Sequence, residues 1–346
     1  MLNFVCIVSE QAVPNLLFIR QFREKEAKFF FLSSKEMEER KMTKNIKAAL
    51  RLPENRCFTV LIDANDAMVI FQQLQNYAFP KEGKYLVNIT GGNKLMSQMV
   101  FQYFMDFDSE MLYAPIGSPD YQVLYPEVGR IPKDNSLKLS LDDYLRAYGY
   151  KAESSLDYYE LEPSPSEIMR QLLQRGHPKN VDWISRASHQ DYKKEDKRYL
   201  MGEWFELYCF KLFKELFNLD NSQIACSVGV KSIESDSAYP FDNEFDLMFV
   251  YLNDLYVFEC KVYLADVIRL DKISPPIFKL ASLSQNFGLQ CKKFIAVLGQ
   301  FSDDQKSLDQ LENLRLSLGI NKILDQEVFA NSKKRKYFEG RFAVQA

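Results

Sequence analysis

A glycine-rich loop in the N-terminal half, residues 88–94, has the residue types of an anion site. It overlaps the end of a short apolar run typical of a strand, 85–89, and precedes apolar residues at helical spacing between Leu95 and Phe104. The start of a helix offers unpaired N–H donors and the positive end of the helix dipole, and glycines let a phosphate approach the main chain. The sequence therefore predicts an anion site here, although a Gly-Gly pair alone is more typical of a simple turn.

Two carboxylates and a lysine lie in the C-terminal half, on apolar runs that the sequence predicts to pair as a hairpin, 241–252 and 255–262. With a two-residue turn at Asn253-Asp254, Asp246 faces Lys261, and Glu259 lies on the same face two residues along. Two neighbouring carboxylates can bind Mg²⁺ or Mn²⁺, which prefer oxygen ligands, and the lysine can orient or activate a bound water. A salt-bridged strand face is the alternative interpretation.

A further acid, Glu206, interrupts a dense apolar stretch with helical spacing within 202–217. By itself that stretch predicts a core helix. The acidic helix and the apolar flanks of the hairpin together favour a metal site over a solvated strand face.

The elements that must position these residues alternate between strand and helix in the first half of the chain. Strand-like runs occur at 4–8, 29–32, 58–62, 85–89 and 111–114. Pro14, Ser33-Ser34 and residues 63–66 can begin the helices between them. This alternation predicts a doubly wound parallel sheet, whose ligands bind where strands 1 and 4 lie side by side. The polar residues after strands 1, 4 and 5 would then meet at one crevice.

Composition and missing motifs exclude several functions. The chain of 346 residues is long enough for two domains, and its net charge of −3 argues against non-specific coating of nucleic acid. It has neither a G-x-G-x-x-G fingerprint nor a P-loop, and its two histidines form no metal motif. Six dispersed cysteines, no signal peptide and no apolar run of about 20 residues predict a cytoplasmic protein with reduced thiols.

The first 145 residues resemble a CARF domain, the CRISPR-associated Rossmann-fold sensor of cyclic oligoadenylates. The resemblance rests on residues 8–11, 88–94, 115–117 and 124–126, and Asn93 stands where the family usually has Thr. It implies a homodimer with one symmetric pocket for a cyclic oligonucleotide, most often cyclic tetra-adenylate. The implied activator-binding residues are Ser9, Glu10, Gln11, Thr90, Gly91, Gly92, Asn93, Lys94, Pro115, Ile116 and Gly117.

Residues 196–346 resemble the PD-(D/E)xK nuclease superfamily, which has a restriction-endonuclease-like α/β/α fold. Asp246, Glu259 and Lys261 match its catalytic core and Glu206 its helix acid; Glu244 matches an auxiliary acid. The resemblance implies Mg²⁺ or Mn²⁺ held by Asp246, Glu259 and Glu206. It also places a helix near residues 279–285.

The order of the two domains, joined by a connector at 146–195, resembles the ancillary nucleases of type III CRISPR systems. That resemblance implies antiviral defence by a homodimeric endonuclease that binds cyclic oligoadenylate and then cleaves DNA, with RNA as an open second substrate.

Two alternatives remain open. Arg170 and His177 have the spacing of a HEPN ribonuclease, which would be metal-independent, but Gly176 and Pro178 make a surface loop the better interpretation. The chain could also be a sensor without catalysis. A basic run, 333–336, predicts either a solvated tail or a contact with a nucleic-acid backbone.

Overall fold

The computed structural model describes residues 1–154, 164–175, 198–234, 243–263, 267–331, 333 and 336–338. The chain forms two compact units, Met1–Tyr150 and Lys151–Gln345, and each has its own sheet. The connector and domain boundaries expected from the sequence stay a prediction. No helix within the described ranges is long and apolar enough to cross a membrane.

The first unit is built on a seven-stranded sheet in the order β3-β2-β1-β4-β5-β6-β7. Its strands are β1 Leu2–Ile7, β2 Lys28–Ser33, β3 Cys57–Leu61, β4 Lys84–Asn88, β5 Ser109–Tyr113, β6 Asp120–Tyr125 and β7 Gly129–Pro132. Its helices are α1 Val13–Phe22, α2 Lys35–Glu39, α3 Met42–Leu50, α4 Ala67–Tyr77, α5 Lys94–Phe104 and α6 Leu141–Ala147. The five strands expected from the sequence are confirmed, and they are parallel. The antiparallel strands β6 and β7 add an edge that the sequence analysis did not include.

Local sequence explains where the helices of the first unit begin. Pro14 lies in the first turn of α1, where a missing N–H costs nothing. The Ser34 hydroxyl caps α2 through Met37 N, and the Asp66 carboxylate caps α4 through Val69 N. The predicted helix starts are therefore confirmed.

The second unit contains a six-stranded mixed sheet in the order β13-β12-β11-β10-β9-β8. Its strands are β8 Tyr150–Ser154, β9 Ile224–Ser232, β10 Asn243–Tyr251, β11 Asp254–Val262, β12 Cys291–Leu298 and β13 Lys322–Leu324. Its helices are α7 Pro165–Arg175, α8 Trp204–Leu216, α9 Leu270–Leu283, α10 Gln305–Ser317 and α11 Gln326–Ala330. Strands β9, β10 and β11 are antiparallel, and β11, β12 and β13 are parallel.

The core of the second unit lies between α8 and one face of this sheet. Phe213 packs against Phe249 and Phe258, with ring centroids 5.6 and 4.9 Å apart. Helix α7 joins the same core through buried residues such as Ile168 and Leu172. This packing fixes α8, and with it Glu206, against the central hairpin.

Two consecutive prolines lie inside α9, and the structure compensates for the second of them. Pro276 has no N–H to donate to the carbonyl of Lys272, one helical turn earlier. That carbonyl instead accepts a hydrogen bond from the Tyr263 hydroxyl at 2.9 Å. Because Tyr263 follows β11 directly, this bond ties the first turn of α9 to the end of the strand that carries Glu259.

Candidate functional site

The loops after β1, β4 and β5 meet at one end of the first sheet, as the sequence predicts for a switch point. A Cβ at Gly91 would lie 2.1 Å from Ile7 O and 3.4 Å from Ser9 Oγ. A Cβ at Gly92, which has φ of +72°, would lie 2.6 Å from the Ile7 side chain. Both positions need a residue without a side chain, because the loop after β4 packs directly on the end of β1.

Hydrogen bonds from Thr90 tie the ends of β4 and β5 together. Its hydroxyl lies 2.6 Å from Asn88 Oδ1 and accepts from Ala114 N at 2.8 Å. Asn88 in turn donates to Asn15 Oδ1 at 2.8 Å, and Asn15 donates to Ile7 O at 3.0 Å. This buried network links three strand ends through α1. It gives Thr90 a structural role that the sequence analysis did not assign.

Both ends of the Asn93 side-chain amide make a hydrogen bond within the protein. Its Oδ1 accepts from Met96 N at 2.9 Å and so caps α5, while its Nδ2 donates to Ala64 O at 2.6 Å. Lys94, the next residue, is exposed and has no ion-pair partner within the described residues. Lys94 is thus the charged group of this loop that remains open to an anion.

The residues after β1 form a compact turn. Ser9 Oγ accepts a hydrogen bond from Gln11 N at 3.3 Å. Glu10 makes an ion pair with Arg40, which ends α2, and both side chains are about half exposed. No sequence pattern pointed to Arg40, because the pair joins two segments that are distant in the chain.

The loop after β5 projects Ile116, which is 75% exposed, and turns at Gly117 with φ of +73°. Lys133 supports this loop from β7's end, donating to Pro115 O at 3.1 Å and to Ser118 O at 2.7 Å. The structure thereby brings all eleven candidate residues into three adjacent loops. Their role in binding an activator stays a prediction.

In the second unit, the predicted hairpin is present, but its two-residue turn lies one residue earlier in the chain than predicted. Tyr251 pairs with Asp254, so Leu252 and Asn253 form the turn, with φ of 51° and 65°. Positive φ at both central residues is typical of a tight turn that follows the twist of the strands. Extended by one residue beyond the Leu247–Phe258 pair, this register places Asp246 opposite Glu259 rather than opposite Lys261. Both turns contain two residues, so the three side chains still share one face.

Lys261 lies between the two carboxylates of the hairpin. Its Nζ is 3.0 Å from Asp246 Oδ2 and 2.7 Å from Glu259 Oε1. Asp246 Oδ2 also accepts from Cys260 N at 2.7 Å. Asp246 and Glu259 are buried, at 8% and 2% exposure. Burial lowers the pKa of Lys261, but the two carboxylates outweigh it and hold that pKa above its usual value.

Glu206 reaches the same site from α8. Burial, and then the neighbouring charge of Asp246, raise the pKa of Glu206 to about 8, while Lys261 and the Ser227 hydroxyl act in the opposite direction. That hydroxyl donates to Glu206 Oε2 at 2.9 Å. The structure therefore brings Glu206, Asp246, Glu259 and Lys261 together.

Lys279 of α9 is a further residue of this site, and the sequence analysis did not assign it a role. Its Nζ donates to Glu259 Oε1 at 3.0 Å and to Oε2 at 2.9 Å. The expected helix near 279–285 is present as the second half of α9. The only sequence signal was the position of Lys279 in that helix.

The remaining candidates are exposed or lie outside the described residues. Glu244 is exposed on β10 and has no ion pair within the described chain. Arg170 makes an ion pair with Glu167 at 2.6 Å, while His177 lies outside the described residues. Within the basic run, Lys334 and Arg335 also lie outside them.

The donor set fits a hard divalent cation in kind, because three carboxyl groups converge from α8, β10 and β11. In this structure Lys261 and Lys279 pair with Asp246 and Glu259, while Glu206 accepts a hydrogen bond from a serine hydroxyl. Among the residues that the structure describes, no group of three His, Cys, Asp or Glu side chains is arranged to hold a metal ion. All six cysteines are buried free thiols.

Two family models match the chain. The Card1 CARF domain matches residues 4–144, and the Card1-like endonuclease domain matches residues 193–320. The chain is a CARF–endonuclease fusion of the Card1 type. The recognition of a CARF domain followed by a nuclease domain is thus confirmed.

Solved structures share the fold of this CARF–endonuclease. Can2 from Sulfobacillus thermosulfidooxidans, in complex with cyclic tetra-adenylate, matches over 99% of both chains with a TM-score of 0.69 and 17% identity. Protein VC1899 from Vibrio cholerae matches over 98% of both chains with a TM-score of 0.72 and 15% identity. A type III CRISPR defence DNA nuclease activated by cyclic oligoadenylate matches over 91% of this chain and 51% of its own, with a TM-score of 0.56 and 14% identity. The comparison with curated proteins gave no match.

Proposed function

We propose that this CARF–endonuclease is a divalent-metal-dependent nuclease of the PD-(D/E)xK type, switched on by cyclic tetra-adenylate in type III CRISPR antiviral defence. DNA is the proposed substrate, and RNA is an open second one. The observation that carries the chemistry is the position of Lys261 between the buried carboxylates of Asp246 and Glu259. Burial of like charges beside a lysine is typical of catalytic sites.

In this proposal Asp246, Glu259 and Glu206 hold Mg²⁺ or Mn²⁺. The cation would neutralise charge on the scissile phosphate and supply an activated water. Cys260 N orients Asp246 through its hydrogen bond to Oδ2. Lys261, which lies between the two carboxylates, would orient or activate the attacking water. Glu244 stays a candidate auxiliary acid at the exposed end of β10.

For the activator, the support comes from the three loops and from the similarity of the fold to Can2, which was solved in complex with cyclic tetra-adenylate. Helix α5 directs its N-terminus at this loop cluster, and the free ammonium of Lys94 lies in its first turn. A homodimer is part of the proposal. Exposed apolar side chains at the end of β3 and the start of α4, Leu61 at 57% and Met68 at 71%, offer surface for a second copy.

The test is cleavage of labelled single-stranded RNA, single-stranded DNA and supercoiled plasmid in Mn²⁺, with and without cyclic tetra-adenylate. We expect cleavage only with the activator, and its loss on addition of EDTA. Cleavage that survives EDTA would favour the metal-independent ribonuclease. A protein that binds the activator but cuts none of the three substrates would be a sensor without catalysis.

A further inference from the structure

Two ammonium groups share one buried carboxylate in the nuclease site. The side chain of Glu259 is 3% exposed, and Lys279 binds both of its oxygens, while Lys261 lies 2.7 Å from Oε1. Charge-assisted bonds to both oxygens leave Glu259 little capacity for any other cation. A metal ion that binds Glu259 would therefore compete with these ammonium groups.

The contacts of the two lysines indicate which one is displaced. Lys261 is held by three acceptors, since it also bonds to Asp246 Oδ2 at 3.0 Å and to Cys260 O at 3.1 Å. Within the described residues, Lys279 has Glu259 as its only ion-pair partner, and 42% of its side chain is exposed. Lys279 can reach solvent by rotating its own side chain, whereas Lys261 would lose every bond of its site.

We propose that Lys279 is a positioning residue that occupies Glu259 in the resting site, yields it to the divalent cation, and then contacts the substrate's phosphate backbone. This inference rests on the proposed metal-dependent nuclease. Lys279 lies at the rim of a cluster of carboxylates that would repel a polyanion. A mobile ammonium at that rim supplies attraction once Glu259 is bound to the cation.

Removal of the Lys279 charge therefore has two opposite effects. Lys279→Met keeps most of the side-chain volume and removes the competitor, so Mn²⁺ binding measured by calorimetry should tighten about 5- to 50-fold. The same variant should have a higher KM for DNA with little change in kcat. The slope of log KM against log salt concentration should also fall by about 1, because one phosphate contact is lost. Lys279→Arg keeps the charge and should stay close to wild type in both measurements.

Matched controls separate this inference from the proposed function. Lys272→Met removes another exposed lysine of α9 and should change neither Mn²⁺ affinity nor KM. If the wild type binds no Mn²⁺, the metal-dependent nuclease itself is wrong. Loss of Mn²⁺ binding in Glu259→Gln would show that the cation uses Glu259. If Lys279→Met then binds Mn²⁺ no more tightly than the wild type, the proposed competition by Lys279 is overturned. Unchanged KM in Lys279→Met would overturn the phosphate contact.

Discussion

Gly91 offers the sharpest test of how the loop after β4 is positioned. A methyl group there would lie 2.1 Å from Ile7 O, whereas ordinary contact begins at 3.4 Å. Loop and strand would have to separate by about 1.3 Å, the difference between those two distances. The carbonyl of Ile7 cannot yield easily, because β1 is paired on both sides and the Asn15 side chain donates to that oxygen.

The displacement must therefore fall on the loop. Gly91 O accepts from Ser97 Oγ at 3.1 Å, a bond that joins the loop to the first turn of α5. Overpacking of this kind typically costs about 1–3 kcal/mol, so we expect Gly91→Ala to lower the free energy of unfolding by that amount. If the loop holds the activator, cyclic tetra-adenylate should also bind about 10-fold or more weakly, since a displaced loop loses its alignment.

Urea unfolding followed by calorimetry with cyclic tetra-adenylate measures both effects. Gly129→Ala in β7 is the matched control, because a methyl group there meets nothing closer than 3.9 Å. It should change the free energy of unfolding by less than about 0.5 kcal/mol. A Gly91→Ala protein as stable as the control would refute the close approach of loop and strand. Lower stability with unchanged affinity would move the activator away from this loop.

Two further predictions concern partly buried polar groups. Thr90→Val removes the hydroxyl that accepts from Ala114 N and bonds Asn88, so the free energy of unfolding in urea should fall by about 1–3 kcal/mol, while Thr90→Ser stays near wild type. Burial raises the pKa of Asp254 from 3.8 to about 6, against the opposing effect of Lys292. The folded state therefore holds this proton more tightly, and the wild type loses stability as the pH rises from about 4 to about 6. Asp254→Asn should escape that loss, so its stability relative to wild type should rise by about 2 kcal/mol between pH 4.5 and 7; a constant difference would contradict the shift.

The parallel sheet of the first unit could be predicted because each strand is a short apolar run and each following helix has a recognisable start. Ser34 and Asp66 carry that signal in their own side chains. The antiparallel strands β6 and β7 lie after the last helix of this alternation, where the pattern gives no direction for the chain.

For the candidate nuclease site, the sequence predicted which side chains of the hairpin share one face but not which residues pair across it. Asn253-Asp254 has good turn chemistry, yet the chain turns at Leu252-Asn253. The predicted and the observed turn both contain two residues, so Asp246, Glu259 and Lys261 lie on one face of the hairpin in either case. Lys279 could not be assigned, because its contact with Glu259 depends on how α9 packs against the sheet.

The glycine pair shows a different limit of sequence reasoning. Its composition indicated space for a phosphate, whereas the structure fills the Cβ positions of Gly91 and Gly92 with Ile7. Asn93 likewise indicated a ligand contact, but both polar ends of its amide are bonded within the protein. A short motif identifies the loop; only tertiary packing tells which of its atoms stay open to a ligand.

The most direct test of the proposed function is the cleavage rate of DNA at saturating cyclic tetra-adenylate and Mn²⁺ for the wild type, Glu259→Gln and Glu215→Gln. Glu215 is an exposed acid of α8, so its variant controls for loss of a carboxylate elsewhere. The proposed function predicts at least about a 1,000-fold lower rate for Glu259→Gln, with activator affinity retained, and a rate near wild type for Glu215→Gln. Equal cleavage by wild type and Glu259→Gln would contradict the hairpin as the catalytic site.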